Sequence, residues 1–384
     1  MPVETLAATG TATMEITVGK AELLKELTAT QGVVERKTTI PILSNYLFEA
    51  SGDKLSLTAT DLDLSLRTSC EVKVKKEGSC TIPARKLYDY VKLLPDGDIT
   101  IKLLDNHWVN IRCGRSNTKM VGMARSNFPT LPAFPSAGAV KIPAKVLRGM
   151  IARTIFAIAN EESRYTLNGA LMVLKPESIT MVATDGHRLA HVERPGEKFE
   201  GVSGEMKTLV PKKAMNEIRV LLDSTDVDFV EFAKDESTLF FRIGPRLLTS
   251  RQLTGQFPNY EAVLPKDNTK TVTVRAEDLS AAIQRVAQFA DERSGAIRMR
   301  LEKNELKISS SSTDSGESED TIETAYTGEL ITMGFNSAYL LDFLKATGAG
   351  EVRLEFKDSQ SAGQVRPEEG DDYKYRYIVM PMRI

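Results

Sequence analysis

Four landmarks recur along this 384-residue chain at intervals of about 125 residues, and that repetition constrains the fold more than any other feature. An apolar-periodic segment opens at Ala21 (AELLKEL), at Ala144 (AKVLRGMIARTIFAIA) and at Ala276 (AEDLSAAIQRVAQFA). A strand-like stretch around Asp61 (LSLTATDLDLSL) returns around Asp185 (ITMVATDGHRLAHV). A second helical segment begins at Pro83, Pro211 and Asn336. Phe128-Pro129 and Phe257-Pro258 recur in proline-rich stretches that read as boundaries. Solenoid units run to roughly 20–50 residues, so repeats of this length are whole domains.

Within each repeat the rest alternates polar and apolar residues over short runs, as in DITIKLLDNHWVNIRCG and TLFFRIGPRLLTSRQL. A period of two predicts half-buried antiparallel strands. The expected fold is α+β, with two helices packed on one face of antiparallel sheet in each repeat. The domains are placed at 14–135, 136–265 and 266–384. Residues 1–13, rich in Thr, Ala and Gly and without periodicity, are expected to be a disordered extension, with Met14 opening the first strand. Helices are predicted over 18–29, 83–94, 143–159, 211–222, 275–290 and 336–347.

The charge of those six segments points to a function. They hold fourteen Lys and Arg against seven Asp and Glu, a net +7, in a chain whose total is -2. Segment 143–159 has no acid at all. Its Leu147, Met150, Ile151, Ile155 and Ile158 fall on one face, and Lys145 and Arg148 on the other. Basic helices beside an acidic remainder suggest helix surfaces that meet phosphate. The plainer alternative is a set of ordinary solvated helix faces. Neither a C2H2 finger, a helix-turn-helix signal nor an RNP aromatic pattern is present, so contact with nucleic acid would be backbone-directed and sequence-independent.

Other classes lack their machinery. No run approaches the ~18 apolar residues of a membrane span, and the N-terminus has no secretory pattern. Cys70, Cys80 and Cys113 form no CxxC pair, which fits free thiols in a reducing cytoplasm. Nucleotide-binding and nucleophile-elbow motifs are absent, and no cofactor is expected. Asp185, His187 and His191 would share one face of a strand, a spacing that superficially suits a metal-dependent hydrolase. No Cys or further acid follows at ligand spacing, and zinc sites normally need three or four ligands, so no metal and no enzyme activity is expected.

Taken together, ERKTTIPILSNYLFEA, LSLTATDLDL, IPARKLYDYVKLLP, YTLNGALM, VATDGHRLA, GQFPNYEAVLP, GFNSAYLLDFL and the terminal YIVMPMRI resemble the beta subunit of bacterial DNA polymerase III, the sliding clamp family. The resemblance runs in order from Met14 to Ile384. It implies the DNA clamp fold: three similar domains per chain, closing as a head-to-tail dimeric ring with helices lining the hole. It implies a processivity factor that encircles duplex DNA and slides without sequence specificity. The implied partners are the polymerase III catalytic subunit, clamp loader subunits and other replication and repair proteins with short clamp-binding motifs. A peptide-binding scaffold that does not encircle DNA is the rival binding reading.

The resemblance implies DNA contacts at Lys37, Tyr165, Lys212 and Lys213, while Arg85, Arg125 and Arg148 are candidates on charge and position. Its peptide pocket carries over to Arg164, Leu167, Thr184, Gly186, His187, Arg188, Leu189, Pro258, Val263, Asn336, Tyr339, Ile378, Met380, Pro381, Met382 and Arg383. The apolar members would bury Leu and Phe side chains, and Arg164, His187, Asn336, Tyr339 and Arg383 would orient the peptide. Two departures stand out: Thr166 follows Tyr165 where relatives have an aromatic, and Glu261-Ala262 stands where a basic residue is frequent. The apolar chain end suggests an anchored strand beside an adaptable surface. For the dimer interface the candidates are Phe289 as apolar centre and an acidic run, Glu317, Glu319 and Asp320, facing Arg112 and Arg115. Such a run, flanked by Asp314 and Glu323, would otherwise read as a solvated loop.

Overall fold

The computed structural model describes residues 14–34, 38–161, 165–196, 198–199, 201–202, 204–313, 315–368 and 372–383. The expected extension 1–13 and the candidates Lys37, Arg164 and Asp314 lie outside these. Six α-helices occur among them: α1 (Lys20–Ala29), α2 (Ala84–Leu93), α3 (Ala144–Thr154), α4 (Lys212–Ser224), α5 (Ala276–Ala287) and α6 (Ser337–Thr347). Each falls inside or within two residues of its predicted segment, because apolar spacing of 3.6 is a local property that packing here only reinforces. One prediction ran too long. After Thr154 the chain tightens into a 3-10 turn, Ile155–Ala157, and Ile158 is already extended. A β-branched run of this kind is a weak helix former once packing stops supporting it.

The chain divides into two compact units. One holds residues 1–139 and 216–251; the other holds 140–215 and 252–384. The division runs through the middle repeat because sheet pairing ignores repeat boundaries. In the first unit Arg246–Arg251, from the middle repeat, pairs antiparallel with Leu64–Glu71 of the first, placing Leu248 opposite Leu66. In the second, Arg188–Pro195 pairs with Lys374–Val379, placing Leu189 opposite Ile378. Backbone N–H and C=O groups must find partners when buried, and a neighbouring repeat's strand supplies them.

The first unit contains a five-stranded sheet, ordered Lys73–Lys76, Glu15–Gly19, Asp98–Leu103, Trp108–Cys113, Ser116–Val121. Helices α1 and α2 pack on each other, burying Leu23, Leu27, Leu87 and Val91. A buried ion pair also joins parts of this unit far apart in sequence. The Arg246 guanidinium meets the Glu26 carboxylate at 3.0 and 3.1 Å. Both side chains are almost wholly buried, with Thr68 also donating to Glu26 and Thr225 accepting from Arg246.

The second unit contains an eight-stranded sheet, ordered Met206–Pro211, Gly169–Lys175, Ser178–Thr184, Arg188–Pro195, Lys374–Val379, Gly363–Pro367, Glu351–Phe356, Lys270–Arg275. A four-stranded sheet follows the order Gly316–Glu323, Glu305–Ser312, Ala296–Glu302, Ile331–Asn336. Helix α3 packs across Ser178–Thr184 and Arg188–Pro195, and α5 against α6. The acidic run, whose plainer reading is a solvated loop, is the edge strand Gly316–Glu323, held in register by Glu305–Ser312. Alternation places Ser318, Asp320 and Ile322 on the half-buried side and Glu317 and Glu319 in solvent, so charge density did not prevent a strand.

Candidate functional site

The ATDGHRLA stretch is turn chemistry. Strand Ser178–Thr184 ends, the chain reverses at Asp185-Gly186-His187, and Arg188–Pro195 returns beside it. Asp185 Oδ1 accepts from the backbone N–H of His187 (3.0 Å) and Arg188 (3.1 Å). Thr184 Oγ1 accepts from Gly186 N (3.1 Å) and donates to the Arg188 carbonyl (2.6 Å). Gly186 sits at φ +89°, a conformation only glycine adopts readily. The expectation that Asp185, His187 and His191 share a strand face is therefore corrected: two of them lie in the turn. Asp185 is engaged by Arg188 at 3.0 Å, and among the described residues no group of His, Cys, Asp or Glu is arranged to hold a metal ion.

Arg188 locks this turn to its surroundings. Its guanidinium also reaches Asp342 of α6 at 2.6 Å and the Phe156 carbonyl at 2.7 Å, and lies 4.4 Å over the Tyr339 ring. Burial opposes its charge, but Tyr377, Asp342 and Asp185 together hold it protonated more firmly than usual.

Beside the turn opens a pocket of about 140 Å³ lined by Leu167, Thr184, Gly186, His187, Arg188, Leu189, Pro258, Tyr260, Val263, Ile378 and Met380. Its floor is Leu189 and Ile378, part of an apolar cluster with Leu171, Val173, Val182 and Leu209 on which Leu253, Phe257 and Tyr260 pack. The chain end is anchored as a strand: Met380 N donates to the His187 carbonyl (2.9 Å) and Met382 N to the Gly334 carbonyl (2.8 Å). Tyr260 was missed from the sequence, although NYEAVLP carries it. Its ring packs against the His191 imidazole, centroids 5.7 Å apart, where the 3-10 turn Tyr260–Ala262 meets strand Arg188–Pro195.

The remaining pocket candidates lie elsewhere. Asn336 caps α6, its Oδ1 accepting from Ala338 N and Tyr339 N, while its Nδ2 donates to the Ser294 carbonyl. Its side chain is thus committed to the helix rather than directed toward a ligand. The Tyr339 carbonyl accepts from the Tyr377 hydroxyl at 2.8 Å. Pro381 is half-buried, and Met382 and Arg383 line a separate cleft with Asp291, Ser294, Glu317 and Glu319.

The basic candidates occupy exposed positions with one exception. Arg85 projects from α2, 3.9 Å from Asp89. Arg125 pairs with Glu49 at 3.2 Å. Arg148 and Lys213 lie on exposed faces of α3 and α4, and Tyr165 is 54% exposed. Lys212 is the exception: half-buried, it donates to Asn160 Oδ1 at 2.6 Å, and burial lowers its pKa. Arg115 lies in the turn before edge strand Ser116–Val121 and Arg112 in the preceding strand Trp108–Cys113, donating to Asn117 Oδ1 at 3.2 Å. On the opposite candidate surface, Asp320 is held by Arg285 of α5 at 2.6 Å. Phe289 is half-buried just beyond α5, its carbonyl accepting from the Ser315 hydroxyl at 3.4 Å.

Three domain families match the chain in succession. The DNA polymerase III beta subunit N-terminal domain covers residues 14–132, the central domain 141–259 and the C-terminal domain 261–383. The chain belongs to the DNA polymerase III beta subunit family. The beta sliding clamp of Caulobacter vibrioides is 34% identical over 377 residues, covering 97% of this chain and all of that one. That of Vibrio cholerae is 32% identical over 373 residues, covering 97% of this chain and all of that one. A crystal structure of the Pseudomonas aeruginosa DnaN sliding clamp bound to griselimycin superposes with TM-score 0.89 at 35% identity, over 97% of this chain and all of that one. That of the Bartonella birtlesii clamp, also bound to griselimycin, gives 0.91 at 34% with the same coverage. The fold is accordingly the three-domain α+β clamp fold, with open sheets rather than closed barrels.

Proposed function

We infer that the chain is a DNA polymerase processivity factor, a homodimeric ring around duplex DNA that docks polymerase and clamp-loader peptides and performs no chemistry itself. The carrying observation is the ordered match of all three clamp domains across residues 14–383. The setting is the bacterial cytoplasm; no helix among the described residues is long and apolar enough to cross a membrane. The hydrolase alternative lacks a catalytic constellation, since Asp185 serves the turn and Arg188.

Four residue-level readings belong to this proposal. Domains divide at 135/136 and 265/266. Backbone phosphates are met weakly by Lys37, Arg85, Arg125, Arg148, Tyr165, Lys212 and Lys213, because a sliding ring must not be trapped at one sequence. Two free sheet edges support the closure. Ser116–Val121 carries Lys119 beside Arg112 and Arg115, whereas Gly316–Glu323 carries Glu317 and Glu319. Edges of opposite charge on copies of one chain favour head-to-tail pairing, which closes when two copies meet. Partner tails enter the pocket beside the Asp185–His187 turn, where burying one Leu or Phe is worth about 1.5–3 kcal/mol before ordering costs.

Retention on circular DNA after loading, with loss on linearisation, tests encirclement; equal loss from both forms leaves only the scaffold reading. Removing residues 380–384 should abolish binding of a QLxLF-type peptide while the ring remains dimeric. Full affinity in the truncated ring would move the docking site elsewhere.

A further inference from the structure

The pocket is one of two openings over a single apolar cluster. Leu189 and Ile378 floor the pocket, while Leu171 and Leu209 of the same cluster floor a neighbouring groove of about 670 Å³. Pro258 and Tyr260 line both, so Tyr260 stands as the partition between them. The pocket's 140 Å³ is far below the ~300–1,000 Å³ of ordinary ligand clefts and suits one or two side chains, whereas the groove falls within that range. The groove mixes apolar walls, Leu253 and Phe257, with Gln252, Thr254, Gln256 and Asn259. Amide and hydroxyl groups along an apolar trough suit an extended backbone with alternate side chains buried.

Its two charged liners differ. Lys207 is held by Glu205 at 2.6 Å, and Glu205 in turn meets Lys175 at 3.4 Å. Glu261 is exposed on the rim and acts electrostatically on Tyr260, Lys207 and His191. Glu205 is shared between two lysines, so Lys207 is only partly offset, and the one carboxylate in the groove's own lining is that of Glu261.

We propose that this groove receives the residues of a partner tail that flank its pocket-filling pair, in extended conformation, and that Glu261 selects a basic side chain among them. The proposal rests on the pocket reading above and extends it. The occupant is the same tail because the two openings share a wall, and a chain leaving the pocket past Tyr260 enters the groove. Specificity among partners of this ring would then reside in sequence outside the short motif.

The test uses the full-length chain and fluorescent synthetic peptides: a core QLxLF-type pentapeptide, and versions extended by four residues at either end with Lys or Glu in the extension. One extended Lys peptide should bind about fivefold tighter than the core, with its Glu counterpart gaining less. Glu261→Lys should reverse the Lys-over-Glu preference and leave core affinity unchanged, and the preference should fade in high salt. If the core peptide binds but no extension gains affinity, or if Glu261→Lys leaves the preference intact, the proposal is overturned while the pocket reading stands. If the core peptide fails to bind, both fall. A shift from dimer to tetramer in sedimentation, lost in Glu261→Lys, would assign the groove to a second copy of the ring and also overturn it.

Discussion

At the scale of single residues, the Glu26–Arg246 pair shows how much a contact between distant positions can hold. The two are 220 residues apart, and both are buried. Removing one partner leaves the other charged in low dielectric, so Arg246→Met should destabilise by roughly 3–5 kcal/mol in urea denaturation. Adding Glu26→Leu should restore most of that, because a paired set of apolar side chains can replace a buried ion pair at little cost. A double variant no more stable than the single would mean the loss came from packing rather than charge. His191 offers a second case. Burial first, and then Arg376, holds its pKa below the ordinary value of 6.5. The folded state therefore keeps a neutral imidazole while the unfolded chain gains a proton below about pH 6.5. This contribution to stability is complete above that pH and declines as pH falls toward the folded pKa. Thermal melts should show the decline setting in below about pH 6.5 in the native chain and its absence in His191→Phe. Carboxylates with lowered pKa, such as Asp291 and Asp358, give way only below about pH 4.

At the scale of elements, the turn at Asp185 has a sister in the first repeat. Asp61 Oδ1 accepts from Asp63 N and Leu64 N, and Thr60 Oγ1 from Leu62 N. Leu62 occupies the position of Gly186, at φ +80° against +89°. A side chain at such a φ costs about 1–2 kcal/mol. Leu62→Gly should thus raise the unfolding free energy in urea denaturation, by up to about 1 kcal/mol once the added freedom of the unfolded chain is deducted. Gly186→Leu should lower it by a similar amount, and weaken peptide binding by displacing His187. A stabilised Gly186→Leu would show that the two turns are not equivalent.

At the scale of the whole molecule, affinity for DNA and closure of the dimer are separate properties and should fail separately. Lys212→Glu with Lys213→Glu should slow loading and lower the slope of log affinity against log salt by about 0.9 per lost phosphate contact. An unchanged slope would remove these lysines from the phosphate surface. Lys212 is the weaker candidate of the two, being committed to Asn160. Phe289→Asp places a charge beside the acidic edge strand and should give monomers in sedimentation at micromolar concentration. A dimer that persists would locate the apolar centre of the interface elsewhere.

Sequence alone determined the repeat number, the six helices and the anchored chain end, because periodicity acts over a few neighbouring residues; the reversal at Asp185 lies inside what alternation alone reads as one strand. Sequence also carried most of the pocket through the family resemblance, whose motifs bring Leu167, Thr184, His187, Leu189, Pro258, Val263, Ile378 and Met380 to one place. Tertiary structure decided the rest. That Tyr260 partitions two openings depends on how the 258–265 segment lies across a sheet built from three stretches of chain. That the acidic run is an edge strand depends on Glu305–Ser312 being free to pair with it. That Asn336 spends its side chain on α6 depends on where the helix begins. These are matters of register and approach between residues distant in sequence, and local preference says nothing about which distant strand arrives, or on which face.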